Sequence, residues 1–96
     1  MSPGGGSEEV IQAVVLRNRY GLHVRPATTI AQTAKDFACE IALIKDENEV
    51  DAKSIFSMLT LGAEQGTELT LRARGVDSAA AVAKLADVIS NFDIND

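Results

Sequence analysis

His23 is the residue of this chain best equipped for chemistry. It stands in the run Asn18-Arg19-Tyr20-Gly21-Leu22-His23-Val24-Arg25-Pro26-Ala27, where a strand pattern gives way to a helical one. A neutral imidazole is a competent nucleophile near neutral pH. A helix N-terminus offers unpaired backbone N–H groups and the positive end of a dipole, and so attracts an anion. Arg25 adds a fixed charge whose forked donors suit phosphate. Nucleophile, anion cradle and cation lie close together, and jointly they imply a histidine that carries a phosphoryl group. The plainer reading of such a histidine is a surface or capping residue. One His and one Cys do not supply the four ligands of a typical structural zinc site, so no metal is expected.

The elements that must present these residues follow from periodicity. Val10 to Asn18 is rich in Val, Ile and Leu and apolar on both faces, which predicts a well-covered strand. Tyr20-Gly21 breaks it. Ala27, Ile30, Ala31, Ala34 and Ala38 then recur at helical spacing, with Gln32, Lys35 and Asp36 opposite. Pro26 is tolerated in a first helical turn but biases Arg25 away from helical geometry. Backbone N–H groups between Val24 and Ala27 are expected to complete the anion cradle.

Cys39, Ile41 and Leu43 alternate with Glu40 and Ala42 as a second strand, and Glu49 to Ala52 returns after the polar turn Asp46-Glu47-Asn48. Ser54 suits the N-cap of a short helix carrying Ile55, Phe56, Met58 and Leu59, with Gly62 at its C-terminal end and Gly66 at the next turn. Leu69, Leu71 and Ala73 alternate with polar residues as a fourth strand. Asp77-Ser78 caps a last helix with apolar positions Ala81, Val82, Leu85, Val88, Ile89 and Phe92. The tail Asp93-Ile94-Asn95-Asp96 is expected to fray. The order β-α-β-β-α-β-α predicts an α+β fold with helices on one face of a mostly antiparallel sheet. Pattern alone leaves a ferredoxin-like arrangement open.

Ninety-six residues make one domain with a modest core, here lacking Trp and with only one Tyr and three Phe. Residues 1–9 read as a flexible Gly-rich leader, and residues 10–96 as the folded domain. The net charge of −5 argues against a nucleic-acid partner and against an anionic membrane surface. Arg17, Arg19 and Arg25 still form a local basic spot. Cys39 lies in an apolar strand pattern and is read as a buried hydrophobe. The leader lacks the organisation of a signal peptide, and no stretch is long enough to span a bilayer, so a cytoplasmic location is expected.

The stretch Gly21-Leu22-His23-Val24-Arg25-Pro26-Ala27 resembles the active-site signature of HPr, the histidine-containing phosphocarrier family of the bacterial sugar phosphotransferase system. Ala52-Lys53-Ser54-Ile55-Phe56-Ser57-Met58-Leu59-Thr60-Leu61-Gly62-Ala63-Glu64-Gln65-Gly66-Thr67 resembles the family's second signature, in the family's order and separation. Similarity extends from about Val10 onward.

The resemblance implies an open-faced sandwich, with three helices on one side of a four-stranded sheet. It implies that His23 accepts a phosphoryl group at Nδ1 from enzyme I, itself charged by phosphoenolpyruvate, and passes it to IIA proteins. A phosphoramidate breaks easily on the next acceptor, as a carrier requires. Arg25 would balance the phosphoryl charge and Pro26 would fix the turn that presents His23. Ser54 matches a position that a dedicated kinase, with its phosphorylase, modifies in some branches of the family. Val24, Ile55, Phe56 and Leu59 match its docking patch. The four apolar residues of so short a helix, Ile55, Phe56, Met58 and Leu59, cannot all face inward, and Phe56 is the one expected outside.

Two positions depart from the pattern. Val24 replaces a smaller residue or Thr, and Ser57 stands where a basic residue is common, which weakens a positive rim. A nitrogen-regulatory branch, or a docking module that regulates partners by binding, is the alternative to sugar transport. The chain is expected to be a monomeric shuttle with no cofactor and no turnover of its own.

Overall fold

The computed structural model describes residues 8–96. The leader's first seven residues lie outside the described residues. Seven elements follow in the expected order: β1 (Glu9–Val15), α1 (Val24–Ala34), β2 (Glu40–Lys45), β3 (Asn48–Asp51), α2 (Ile55–Leu59), β4 (Glu68–Arg74) and α3 (Ser78–Ser90). The sheet runs β1-β4-β2-β3, and every neighbouring pair is antiparallel. A ferredoxin-like sheet is antiparallel too but places β1 and β3 at its centre; here β4 and β2 are central and β1 and β3 are the edges, so the strand order excludes that alternative.

The three helices cover one face of the sheet. The inward side chains of the strands, Val14, Ile41, Leu43, Leu69, Leu71 and Ala73, meet Ile30 and Ala34 of α1, Met58 of α2 and Val82, Leu85 and Ile89 of α3. Alternation in β4 is complete: Leu69, Leu71 and Ala73 are buried, while Glu68, Thr70, Arg72 and Arg74 are not. Cys39 is buried as expected, and burial, helped by a hydrogen bond to Asp77, raises its thiol pKa.

The structure departs from the sequence-based expectations where an element meets an edge or an end. β1 is an edge strand, not a covered one. Ile11 is 60% exposed and Val15 38% exposed, because the second face of the sheet carries no helix. Its two apolar faces are therefore not both core. α1 closes at Ala34, and Ala38 lies beyond it, exposed, in the turn to β2. Gly62 does not cap α2. Thr60 does, and Gly62 takes its positive φ two residues later.

Asp77 occupies the N-cap position of α3 but makes no capping bond. Its carboxylate accepts the N–H groups of Ala38 and Cys39, both at 3.1 Å, and so ties the α1–β2 turn to the start of α3. The hydrogen bond from Ala38 leads the causes that lower its pKa. A carboxylate with a depressed folded-state pKa stabilises the protein above its unfolded pKa, and this stability is lost as pH falls through the folded value. Asp77→Ala should therefore lower the melting temperature by a few degrees at neutral pH, with the gap to wild type closing below the ordinary Asp range. A gap that is constant with pH would contradict this role.

Candidate functional site

The site is the junction between β1 and α1. After Val15 the chain stays tied to the segment that precedes β4: Leu16 N–H donates to Thr67 O (3.0 Å) and Gly66 N–H to Leu16 O (2.8 Å). Buried Asn18 then closes the turn, its Nδ2 donating to Gly21 O at 2.7 Å. Gly21 adopts φ +65°, and Leu22 N–H donates to Ala63 O at 2.9 Å. The two sequence blocks are thus one structural unit: the segment after α2 is the bed on which the loop before His23 lies.

His23 is the N-cap of α1, with extended backbone and a side chain that makes no capping bond. The imidazole is left to other work. It is half-buried, its Nε2 lies 3.1 Å from the backbone oxygen of Asp96, and the Tyr20 ring meets it edge-on at 6.2 Å. An oxygen of this kind only accepts, so Nε2 carries the proton of the contact and Nδ1 of the neutral ring keeps its lone pair. Arg19 in turn lies over the Tyr20 ring, 5.5 Å from its centroid.

Arg25 lies in the first turn of α1 despite the bias imposed by Pro26, since helix packing overrides the local preference. Its guanidinium is 2.8 Å from Asp96 Oδ1 and three-quarters exposed. The cradle is narrower than expected. Pro26 has no N–H, and Ala27 N–H is spent on His23 O at 3.0 Å. Val24 and Arg25 N–H remain without a partner among the described residues.

Asp96 is the participant that the sequence hid. The tail is docked, not frayed: Ile94 O accepts Arg19 N–H at 2.8 Å, and Asp96 O accepts Tyr20 N–H at 3.0 Å. An aspartate more than seventy positions from His23 gives no local signal. Ser54 caps α2 as expected, its Oγ accepting Ser57 N–H at 3.2 Å. Its hydrogen bonds all stay within its own turn and α2, so the structure does not bond it into the His23–Arg25–Asp96 cluster. Phe56 is 85% exposed and Val24 59%, while Ile55 and Leu59 are half-buried against the core. Among the described residues there is no cluster suited to a metal ion and no helix long and apolar enough to cross a membrane.

The family described as "PTS HPr component phosphorylation site" matches residues 10–91. The phosphocarrier protein HPr of Borreliella burgdorferi is 39% identical over 88% of this chain and 93% of its own length. The HPr-like protein Crh of Bacillus subtilis is 43% identical over 80% of this chain and 91% of its own. The crystal structure of HPr from Bacillus anthracis superposes with a TM-score of 0.80 at 32% identity, covering 84% of this chain and 96% of the other.

Proposed function

We propose that this chain, which belongs to the HPr family of phosphotransferase-system phosphocarriers, carries its phosphoryl group on Nδ1 of His23. It takes the group from phosphorylated enzyme I and delivers it to IIA proteins. The observation that carries the assignment is the contact of Nε2 with Asp96 O. That contact holds the proton on one nitrogen and leaves the other as the nucleophile, beside the two open N–H groups of α1. In the transfer, the Nδ1 lone pair attacks the phosphorus of the donor phosphohistidine. The P–N bond to the donor breaks, and its electron pair returns to the donor ring. Delivery runs the same exchange in reverse.

Arg25 is the mobile counter-charge. Before transfer its guanidinium holds Asp96 Oδ1, and the incoming phosphoryl oxygens compete for the same donors. An exposed pair of this kind contributes only about 0–1 kcal/mol, so the exchange costs little. Arg25→Ala should slow transfer by roughly ten- to a hundredfold without abolishing it, because one charge-assisted contact to a transferring group is lost. Wild-type rates in steady-state transfer from enzyme I would refute the role. Pro26, buried in the first turn, fixes the backbone that presents His23.

Phe56 and Val24, exposed, with Ile55 and Leu59 behind them, form the apolar docking surface for enzyme I and IIA proteins. A second role rests on Ser54. A phosphate there would place about two negative charges at the start of α2, beside that surface, and similarity to Crh favours such a regulatory use. The reading is tested by nitrogen-labelled NMR of the chain after phosphorylation by enzyme I and phosphoenolpyruvate. Phosphorus coupled to Nδ1 of His23 is the expected result, and coupling to Nε2 would overturn it.

A further inference from the structure

The basic loop before His23 takes no part in the transfer described above, and we infer that Arg17, Arg19, Tyr20 and Ile94 form a second docking flank, which receives a carboxylate-bearing rim of enzyme I. This flank rests on the carrier reading for the identity of its partner. Leu16 and Asn18 are fully buried, while Arg17 and Arg19 are exposed, so both guanidinium groups project from the outer side of the loop. The backbone beneath them is fixed. Arg17 O accepts Gln65 Nε2 at 3.0 Å, and Asn18 Nδ2 donates to Gly21 O at 2.7 Å. Arg19 N–H donates to Ile94 O at 2.8 Å and Tyr20 N–H to Asp96 O at 3.0 Å. A loop already held at four points has little freedom left to lose on binding.

The charges around His23 are unevenly spent. Arg72 and Arg74 are paired with Glu9 and Glu49, and Arg25 with Asp96. Neither Arg17 nor Arg19 has a carboxylate partner among the described residues. On the other flank α2 carries no charge from Ile55 to Leu59, and the Lys53 ammonium before it donates to Phe37 O and Cys39 O at 2.8 and 2.9 Å. Apolar contact is therefore on offer beside Phe56, and free positive charge beside Tyr20.

The patch begins at the reactive ring. Arg19 lies 5.5 Å over the Tyr20 ring, whose edge faces the His23 imidazole at 6.2 Å. Stacking holds the guanidinium in place while its forked donors stay open to a carboxylate. Tyr20 is 63% exposed and Ile94 57%, and Arg beside an aromatic is the pairing that anchors protein interfaces. A net charge of −5 repels an acidic protein at long range, so local positive charge beside His23 turns the right face toward it.

The test is titration of the nitrogen-labelled chain with enzyme I in the absence of phosphoenolpyruvate, which reads binding apart from transfer. Amide signals of Arg17, Arg19 and Tyr20 should shift together with those around Phe56. Arg17→Gln with Arg19→Gln keeps the stems and removes both charges. It should raise the dissociation constant at least about tenfold at low salt, with the gap shrinking to about twofold or less at high salt. Arg17→Lys with Arg19→Lys keeps the charge and should stay within about threefold of wild type. Lys84→Gln removes a charge from an exposed position of α3 and should change binding by less than about twofold. Shifts confined to the Phe56 side, or equal weakening by Arg19→Gln and Lys84→Gln, would overturn the flank. So would a chain that does not bind enzyme I at all. Binding with these contrasts but without phosphoryl gain once phosphoenolpyruvate is added would sustain the flank and overturn the carrier reading.

Discussion

His23→Ala should accept no acid-labile phosphoryl group from enzyme I and should still fold cooperatively, melting only several degrees below wild type. The chemical half of this result follows from composition, since the chain has no second imidazole. The structural half follows from what the ring touches. His23 caps α1 through its backbone alone, so the helix start does not depend on the side chain. Among the described residues the ring's only hydrogen bond reaches Asp96 O, and its half-buried body lies against the edge of Tyr20. One neutral hydrogen bond and a partial burial together are worth about 1 kcal/mol. Phosphoryl incorporation and a thermal melt on the same preparation check both halves. An acid-labile phosphate on the variant would show that the acceptor is elsewhere.

Gly21→Ala should be among the most destabilising single changes outside the core. At φ +65° an L side chain costs about 1–2 kcal/mol. Here there is also no room for it: an added Cβ would sit 2.8 Å from Glu64 Cα and closer still to Ala63 O. These atoms are backbone and cannot swing aside. Relief requires lifting the loop off the segment after α2, which breaks the bond from Leu22 N–H to Ala63 O. The combined loss should be about 3 kcal/mol or more. Urea unfolding should show a lower midpoint with an unchanged slope. Phosphoryl transfer at low temperature, where the variant is still folded, should also fall, because the same loop positions His23. A midpoint near wild type would mean that the loop is not held there.

Most of the fold was legible because its signals are local. The alternation of β4, the helical spacing of α3 from Ala81 to Ile89 and the Ser54 cap each depend on a few adjacent residues, and each is found where the pattern puts it, while Phe92 falls just beyond the end of α3 at Ser90. Coverage was not legible. A strand apolar on both faces reads the same at a sheet's edge as at its centre, and only the pairing order shows that Ile11 and Val15 face outward. Asp77 reads as a cap, and its real partners, Ala38 and Cys39, come from a turn that only the folded chain brings near. In the site, His23, Val24, Arg25 and Pro26 are adjacent in sequence and so were found together. Asp96 reaches them from the far end of the numbering, and Tyr20 shows its relation to His23 only once the loop is folded.

A carrier must take a phosphoryl group on His23 and hold it until an acceptor arrives. Intact mass after incubation with phosphoenolpyruvate and enzyme I, before and after brief mild acid, tests it most directly. A gain of one phosphoryl group that acid removes is the expected result. A phosphoryl group that survives acid would place the modification on a hydroxyl such as that of Ser54, and no gain with the cognate enzyme I would contradict the carrier role.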